Sequence, residues 1–296
     1  MAYRCAAASL ERDEPPLGTA STVRAFLLVE NAGPWGTDAL RDVRLPDAVK
    51  LGLQERSSAA NVRTLLVRRH RAIGQVSGTR VFAAYADPTA PWLETTTLAA
   101  DEELLDLDLD ALGRGRSPGL EPTAEPVFAV CTHGRHDACC AELGRPVAAG
   151  LSSAHPDHTW EVSHIGGDRF AANVLVLPEG LYYGRVTAAD AAALGDRHRA
   201  GHLDLDLLRG RSGHPFAVQV AEVAVRRAAG ETRLGAVRVV SLAHDGADTS
   251  VRLDVAGTPY DVLVRRTVGD ERHLLTCRAV RQNPTPTHEV VDVRRL

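Results

Sequence analysis

Short apolar runs separated by turn residues recur along the chain and predict β-strands. The first three runs are VRAFLLVE, VRTLLVR and TRVFAAY, which begin at positions 23, 62 and 79. They are rich in β-branched and aromatic residues and too short for typical helices. Between the first two, apolar residues at helical spacing predict two helical pieces over residues 38–55, interrupted by Pro46. A closing segment at 102–112 completes a β-α-β-β order, which predicts a first domain over residues 1–122, with a loop expected over residues 5–22.

The same order begins again after residues 113–126, which hold three prolines and three glycines and predict a linker. A strand is expected at Val127–Cys131, a helix at 138–151, and strands at 160–164, 173–177 and 181–186. The last two are joined by a Pro-Glu-Gly hairpin connection, and Thr187 is expected to cap a helix over residues 188–200. Two successive β-α-β-β-α modules indicate a weak internal duplication, in the order that thioredoxin-like domains use. The second module predicts a domain over residues 123–204.

The remaining residues, 205–296, have a different pattern. An amphipathic helix is expected at Phe216–Ala229, ending at Gly230. Three β-type runs follow at 236–243, 250–255 and 260–268, with a weaker run at 274–280 and a final extended piece at 289–293. The predicted fold class is therefore α/β to α+β, with tandem thioredoxin-like domains and a C-terminal α+β unit.

Composition adds little to this picture except through the cysteines. The 296 residues are 44% hydrophobic and 24% charged with a net charge of −4, values that are ordinary for a globular protein and give no reason to propose a nucleic-acid or membrane partner. No targeting segment or apolar stretch of about 18 residues is visible, so we expect a cytoplasmic protein. Five cysteines should stay reduced there unless a metal, a cluster or catalysis uses them.

Three of these cysteines lie within ten residues, at Cys131, Cys139 and Cys140. Cys131 ends a predicted strand, and the eight residues before Cys140 form a loop that leads into a helix. A second strand ends at His164, which a loop containing two glycines separates from Asp168. Two strand-end loops that meet in space supply two sulfurs, one imidazole and one carboxylate, a donor set that suits zinc or iron–sulfur chemistry.

Structural interpretations compete with this one. Buried cysteines commonly act as small hydrophobic residues, and that is the expectation for Cys139, because adjacent helical side chains point apart. His133 and His136 are expected to contact the ligands rather than the metal. Asp168 has an alternative role in bonding the amides of its own turn. The remaining cysteines, at positions 5 and 277, are expected to be unused, although either is free to approach the site.

Three long motifs in this region resemble the sucrase/ferredoxin-like family. They are CTHGRxDxxC at 131–140, SHIGGDRFAAN at 163–173 and LPxGLYYGR at 177–185, supported by LLVE at 27–30 and PWG at 34–36. The resemblance spans roughly residues 5–200 and implies a likeness to thioredoxin-like [2Fe-2S] ferredoxins. It also implies a cluster held by two cysteines and two histidines, in C-x8-C and H-x3-H spacings, as in the eukaryotic members.

Carried over by this resemblance, Cys131 and Cys140 match the two cysteines and His164 matches the first histidine. Asp168 stands where the second histidine is expected, and a carboxylate is a harder ligand than an imidazole. The cluster is then Asp-ligated and labile, uses a different fourth ligand, or is absent.

The sequence thus predicts a [2Fe-2S] electron-transfer protein with a redox partner protein that it does not identify, rather than a stand-alone enzyme. Cys131, Cys140, His164 and Asp168 are the expected ligands. Outside the ligand set, the candidates for tuning the site or docking a partner are Arg135, Arg169 and Asn173.

Two alternatives stay open. One is a cluster-free thiol enzyme, in which nearby histidines and Arg135 stabilise a thiolate on Cys131. The other is a structural zinc site or a binding module.

Overall fold

The chain is a mixed α/β protein with two sheets, as seen in a computed structural model that describes residues 2–70 and 78–296. One sheet has ten strands and the other has four. Seven α-helices pack against them in the described parts of the chain. None of these helices combines the length and the apolar character that crossing a bilayer requires.

The first unit carries a β-α-β-β arrangement. Its strands are β1 (Ala25–Glu30), β2 (Val62–Arg68), β3 (Thr79–Tyr85) and β4 (Trp92–Leu98), and its helices are α1 (Cys5–Glu11), α2 (Ala39–Asp42), α3 (Asp47–Ala59) and α4 (Leu109–Gly113). Strand β1 lies parallel to β2 and antiparallel to β3, and β3 pairs antiparallel with β4. Helix α3 makes the connection between the two parallel strands.

The second unit repeats this pairing. Its elements are β5 (Glu121–Pro122), β6 (Val127–Cys131), α5 (Ala138–Ala154), β7 (Thr159–Val162), β8 (Val174–Leu177), β9 (Leu181–Tyr183) and α6 (Ala191–Arg199). Strand β6 lies parallel to β7 and antiparallel to β8, which forms a hairpin with β9. Strand β5 pairs with β4 of the first unit. The strand order of each unit is therefore the same.

The two units share one continuous sheet. Strands β2 and β7 pair antiparallel, with Val67 opposite Val162 and Arg68 opposite Glu161. Apolar side chains from both units fill one core on one side of this junction, and Cys131 and Cys140 are part of it. Because β6 and β7 are parallel, their carboxyl ends emerge at the same edge, and the two loops that follow them are neighbours.

The C-terminal residues add one strand to the large sheet and form the small one. The elements are β10 (Leu208–Arg211), α7 (Phe216–Ala229), β11 (Val237–Asp245), β12 (Asp248–Val255), β13 (Thr258–His273) and β14 (Asn283–Arg295). Strand β10 pairs with β9, whereas β11 to β14 form an antiparallel meander against α7. Helix α7 ends at Gly230, which has the positive φ that glycine adopts without strain.

Most of the predicted strands and helices are confirmed, and several local expectations are wrong. The loop expected over residues 5–22 contains α1, and residues 274–280 form no strand. Strands β4, β5 and β10 were missed, and β5 lies within the predicted linker. Strand β10 is difficult to predict because its sequence, LRGR, is polar although all four residues are buried. The three domain ranges stay predictions. Strand β10, from the predicted third domain, extends the sheet of the predicted second domain by pairing with β9.

Candidate metal centre

The first cysteine loop joins β6 to α5. A helix cap and a close helix–strand contact fix the positions of its two cysteines. Asp137 caps α5 by accepting a hydrogen bond from the Cys139 amide, so Cys140 lies in the first helical turn. Further along the helix, Gly144 packs directly against the carbonyl of Cys131, and a Cβ at this position would collide with that oxygen. The glycine therefore allows α5 to approach the end of β6, and both thiols are buried at 1% exposure.

The second loop follows β7 and brings His164 and Asp168 to the same place. Asp168 Oδ1 lies 3.1 Å from the Cys140 sulfur and 2.9 Å from Nδ1 of His164. The donor atoms of Cys131, Cys140 and His164 all lie within 4.8 Å of one another. The structure thus brings together the four side chains named from the sequence, in a site whose carboxylate is also buried.

Nδ1 of His164 is close enough to Asp168 Oδ1 for an ion pair, but the two atoms do not have hydrogen-bond geometry. Nδ1 of His164 is buried and has no hydrogen-bond partner among residues 2–70 and 78–296. A buried ring nitrogen normally finds a partner. This nitrogen lies 2.9 Å from Asp168 Oδ1, and one ring nitrogen of His164 lies within 4.8 Å of both cysteine sulfurs.

The charges of the four groups are coupled. A hydrogen bond from the Cys140 thiol lowers the pKa of Cys131 well below its usual range, and His164 acts in the same direction against the effect of burial. Contact with Cys131, together with burial, raises the pKa of Cys140. Burial opposes a charge on His164, but the neighbouring Asp168 and Cys131 outweigh it and raise the pKa of His164 to about 9. The metal-free site therefore favours an anionic sulfur beside a protonated imidazole.

Two further histidines line the site in different ways. His133 uses both ring nitrogens within the protein, because Nε2 lies 2.7 Å from the Gly36 carbonyl and Nδ1 accepts from the His164 amide. His136 stacks on His164 with ring centroids 3.8 Å apart, and its Nε2 lies 3.7 Å from Oδ2 of Asp168. His133 is thus a structural contact, whereas His136 is close enough to the carboxylate to affect its charge.

A buried arginine holds the loop between His164 and Asp168. Arg209, on β10, donates hydrogen bonds to the Gly166 carbonyl and to Asn173 Oδ1 at 3.0 and 2.7 Å. Asn173 in turn donates to the Gly167 carbonyl. Both glycines have a positive φ, and a Cβ at Gly167 would collide with the guanidinium. The double glycine therefore allows this approach, as the sequence suggested, but Arg209 itself was missed because it lies far away in the chain.

Of the three residues proposed to surround the ligands, only Asn173 supports the site directly. Arg169 points away and pairs with Glu14 at 2.6 Å. Arg135 is exposed on the cysteine loop. Its side chain borders a surface groove rather than the ligand cluster.

One side of the site opens to the surface through the histidines. The side chain of His164 is 26% exposed, in contrast to the two buried cysteines. Together with His136 it lines a groove of about 470 Å³, which Arg41 and Arg63 border. The site therefore has a buried sulfur side and an accessible imidazole side.

Comparison with known proteins gives one family and one structural neighbour. A family model described as sucrase/ferredoxin-like matches residues 16–210. A solved structure with similarity to this chain is a thioredoxin-like [2Fe-2S] ferredoxin from Aquifex aeolicus, at 19% sequence identity. The match covers 31% of this chain and 97% of that chain, with a TM-score of 0.28. No curated protein sequence matches the chain.

Proposed function

Since the chain belongs to the sucrase/ferredoxin-like family, we propose that it is an electron-transfer protein that holds a [2Fe-2S] cluster. The observation that carries this proposal is the convergence of Cys131, Cys140 and His164 with Asp168 in one buried site. Cys131 and Cys140 lie at the two ends of the loop that follows β6, and His164 and Asp168 follow β7. Because β6 and β7 are adjacent parallel strands, their pairing sets the distance between the two groups of side chains.

The donor chemistry fits such a cluster. Thiolates are the usual ligands of iron–sulfur clusters, and imidazole replaces cysteine in some of them with a rise in potential. The low pKa of Cys131 favours the thiolate form that a metal needs. The unpartnered, buried Nδ1 of His164 supports the same assignment, because a metal would satisfy it. When bound, the cluster supplies one-electron transfer.

Asp168 is the proposed fourth ligand. Its carboxylate already contacts Cys140 and His164, whereas His136 approaches only the second carboxylate oxygen. In this arrangement His136 stacks on His164. A carboxylate binds a soft cluster less tightly than imidazole does, so a labile cluster is expected.

The accessible histidine side is the proposed contact for a redox partner protein. His164 and His136 line the groove beside Arg41 and Arg63, and the sulfur side is enclosed. Electron exchange through the exposed imidazoles would leave the cysteines protected from solvent.

The architecture that we propose for this function is a pair of thioredoxin-like domains with a C-terminal α+β unit. The repeated strand pairing of the two units supports it, because β1 to β4 and β6 to β9 follow one order. The proposed compartment is the cytoplasm, where thiols stay reduced and available to a metal.

Two other functions remain as outcomes of the same experiment. Zinc also binds sulfur, nitrogen and oxygen donors in four-coordinate sites, so a structural zinc ion is the first alternative. A thiol enzyme is the second, favoured by the low pKa of Cys131 but disfavoured by its 1% exposure, because a nucleophile must reach its substrate.

The test is anaerobic purification of the full chain followed by iron, acid-labile sulfide and zinc analysis and a visible spectrum. We expect about two irons and two sulfides per chain, and the loss of both in Cys131→Ser and Cys140→Ser. Cys277→Ser is the matched control and should keep them. A colourless protein without stoichiometric iron would overturn the proposal. Zinc without sulfide at this site would favour the structural alternative, and rapid labelling of Cys131 in the metal-free chain would favour the thiol enzyme.

A further inference from the structure

A second cluster of ligand-type side chains lies on the opposite side of the first turn of α5. It contains Cys5 from α1, Asp137 and Cys139 from the start of α5, and Cys277 from the segment between β13 and β14. Their donor atoms all lie within 4.8 Å of one another. These residues are separated by as many as 272 positions in the chain, so only folding brings them together.

The spacing of the sulfur atoms matches the coordination shell of a single ion. The Cys139 sulfur lies 3.4 Å from that of Cys277, which lies 3.6 Å from that of Cys5. An oxygen of Asp137 lies 3.5 Å from the Cys5 sulfur. Tetrahedral zinc with bonds of about 2.3 Å to sulfur requires sulfur–sulfur separations of about 3.8 Å. Movements of a few tenths of an ångström would therefore complete the shell.

The buried carboxylate of the cluster lacks a cationic partner. Asp137 is fully buried and has no ion pair with any cationic side chain among the described residues. Its oxygens accept hydrogen bonds from the amides of Cys139 and Cys277 and face the Cys5 thiol. A buried carboxylate without a cationic partner is costly. Zinc bound to this carboxylate would supply the missing partner, and the shell with three thiolates would then have a formal charge of −2.

We propose that Cys5, Cys139, Cys277 and Asp137 bind one zinc ion that ties α1 and the C-terminal sheet unit to the start of α5. Three thiolates with one further ligand suit zinc, and a set of four protein ligands leaves no open position, as in structural sites. Binding replaces three thiol protons with one Zn²⁺, so about three protons are released per ion. Cys277 is the most exposed ligand and offers the route of entry.

The two proposed sites share no ligand. Cys139 directly precedes Cys140, but the Cys139 sulfur lies beside Cys277 and the Cys140 sulfur lies beside Asp168. Loss of the zinc site should therefore leave the four proposed ligands of the first site in place.

The experiment measures zinc in the full chain and in two cysteine variants. After incubation with zinc sulfate and removal of excess metal, we expect about one zinc per chain at this site, retained in Cys131→Ser and lost in Cys277→Ser. The iron and sulfide of the first site should be unchanged in Cys277→Ser, so failure of one proposal is distinguishable from failure of the other. A zinc content in Cys277→Ser equal to that of the wild type would overturn the assignment.

A second measurement on the wild-type chain covers the case in which a variant fails to fold. Co²⁺ added in place of zinc should give the intense thiolate charge-transfer absorption of a tetrahedral sulfur-rich site, and zinc should abolish it. Peptide mapping of the thiol-blocked chain should find Cys139 and Cys277 reduced. Absence of the Co²⁺ absorption, or a disulfide between these two cysteines in freshly isolated protein, would overturn the zinc proposal.

Discussion

Cys139 and Cys140 are consecutive residues of one helix turn, yet their sulfur atoms face two different clusters of ligand-type side chains. The Cys140 sulfur lies 3.1 Å from Asp168, and the Cys139 sulfur lies 3.4 Å from that of Cys277. Successive side chains of a helix diverge by about 100°, so the side chains of Cys139 and Cys140 point towards different clusters. The start of α5 is therefore common to both proposed sites.

Replacing Asp168 should change the cluster more than it changes the fold. Asp168→Asn removes the proposed anionic ligand and should reduce iron and sulfide severalfold, whereas Asp168→His supplies imidazole and should restore them with an altered visible spectrum. Asp157→Asn, on the exposed surface, is the control and should match the wild type. Identical spectra for all three variants would remove Asp168 from the ligand set.

Replacing His136 distinguishes a neighbour of the cluster from a ligand. His136→Gln removes the ring that stacks on His164 and approaches Asp168, but it leaves the four proposed ligands in place. We expect iron and sulfide to be retained, with a shift in reduction potential measured by spectroelectrochemistry. Loss of the cluster in His136→Gln, with retention in Asp168→Asn, would assign the fourth position to His136 instead.

The metal-free chain should lose stability at alkaline pH. Burial opposes the charged form of His164, but Asp168 and Cys131 outweigh it and raise the pKa of His164 to about 9. Because the folded-state pKa exceeds the unfolded value, this pair stabilises the fold fully below about pH 6.5, and the contribution is lost as the pH rises through about 9. Cys131 titrates in the opposite sense, because its folded-state pKa lies below the unfolded value of about 8.5, so its contribution grows as the pH rises to that value. The net decline in the free energy of unfolding is therefore smaller than the about 3 kcal/mol of the His164 shift alone, and it falls mainly above about pH 8.5.

Denaturant titrations of the metal-free chain between pH 6 and pH 10 measure this decline. Asp168→Asn removes one of the two groups that raise the pKa of His164, so the decline in its free energy of unfolding over the same range should be smaller. A decline of equal size in both proteins would assign the pH dependence to other groups.

Arg209 should be needed for both stability and the site. Its guanidinium is buried and donates to the carbonyls of Thr19 and Gly166 and to Asn173. Arg209→Met leaves these acceptors unpaired and should lower the free energy of unfolding by about 3 kcal/mol. The cluster should also become labile, because the loop between His164 and Asp168 loses its support.

The matched control for that variant is Arg197→Met, on the exposed face of α6, which should cost less than about 0.5 kcal/mol in denaturant unfolding. If Arg209→Met is as stable as this control and keeps its iron, the loop does not depend on Arg209.

Local patterns in the sequence were sufficient for many elements and for the four proposed ligands. The limits predicted for β2, β3, β6 and α7 equal those in the structure, because each element has a continuous apolar or periodic run bounded by turn signals. The loop between Cys131 and Cys140 begins at the end of β6, and the loop with His164 and Asp168 begins at the end of β7. Their chemical character is visible in residue type and spacing alone.

The tertiary structure decided which distant residues join those loops. Cys5, Cys277 and Arg209 carry no local signal, since single residues and a polar strand have no periodicity that marks burial. The polar residues of β10 can be buried because they have partners. Arg209 donates to the carbonyls of Thr19 and Gly166, and Arg211 lies 3.6 Å from Glu222. Sequence alone thus determined most of the elements and the types of side chain at the two strand ends, through short-range pattern. The convergence of residues far apart in the chain required the packing of the sheets, because only the complete fold brings their partners within bonding distance.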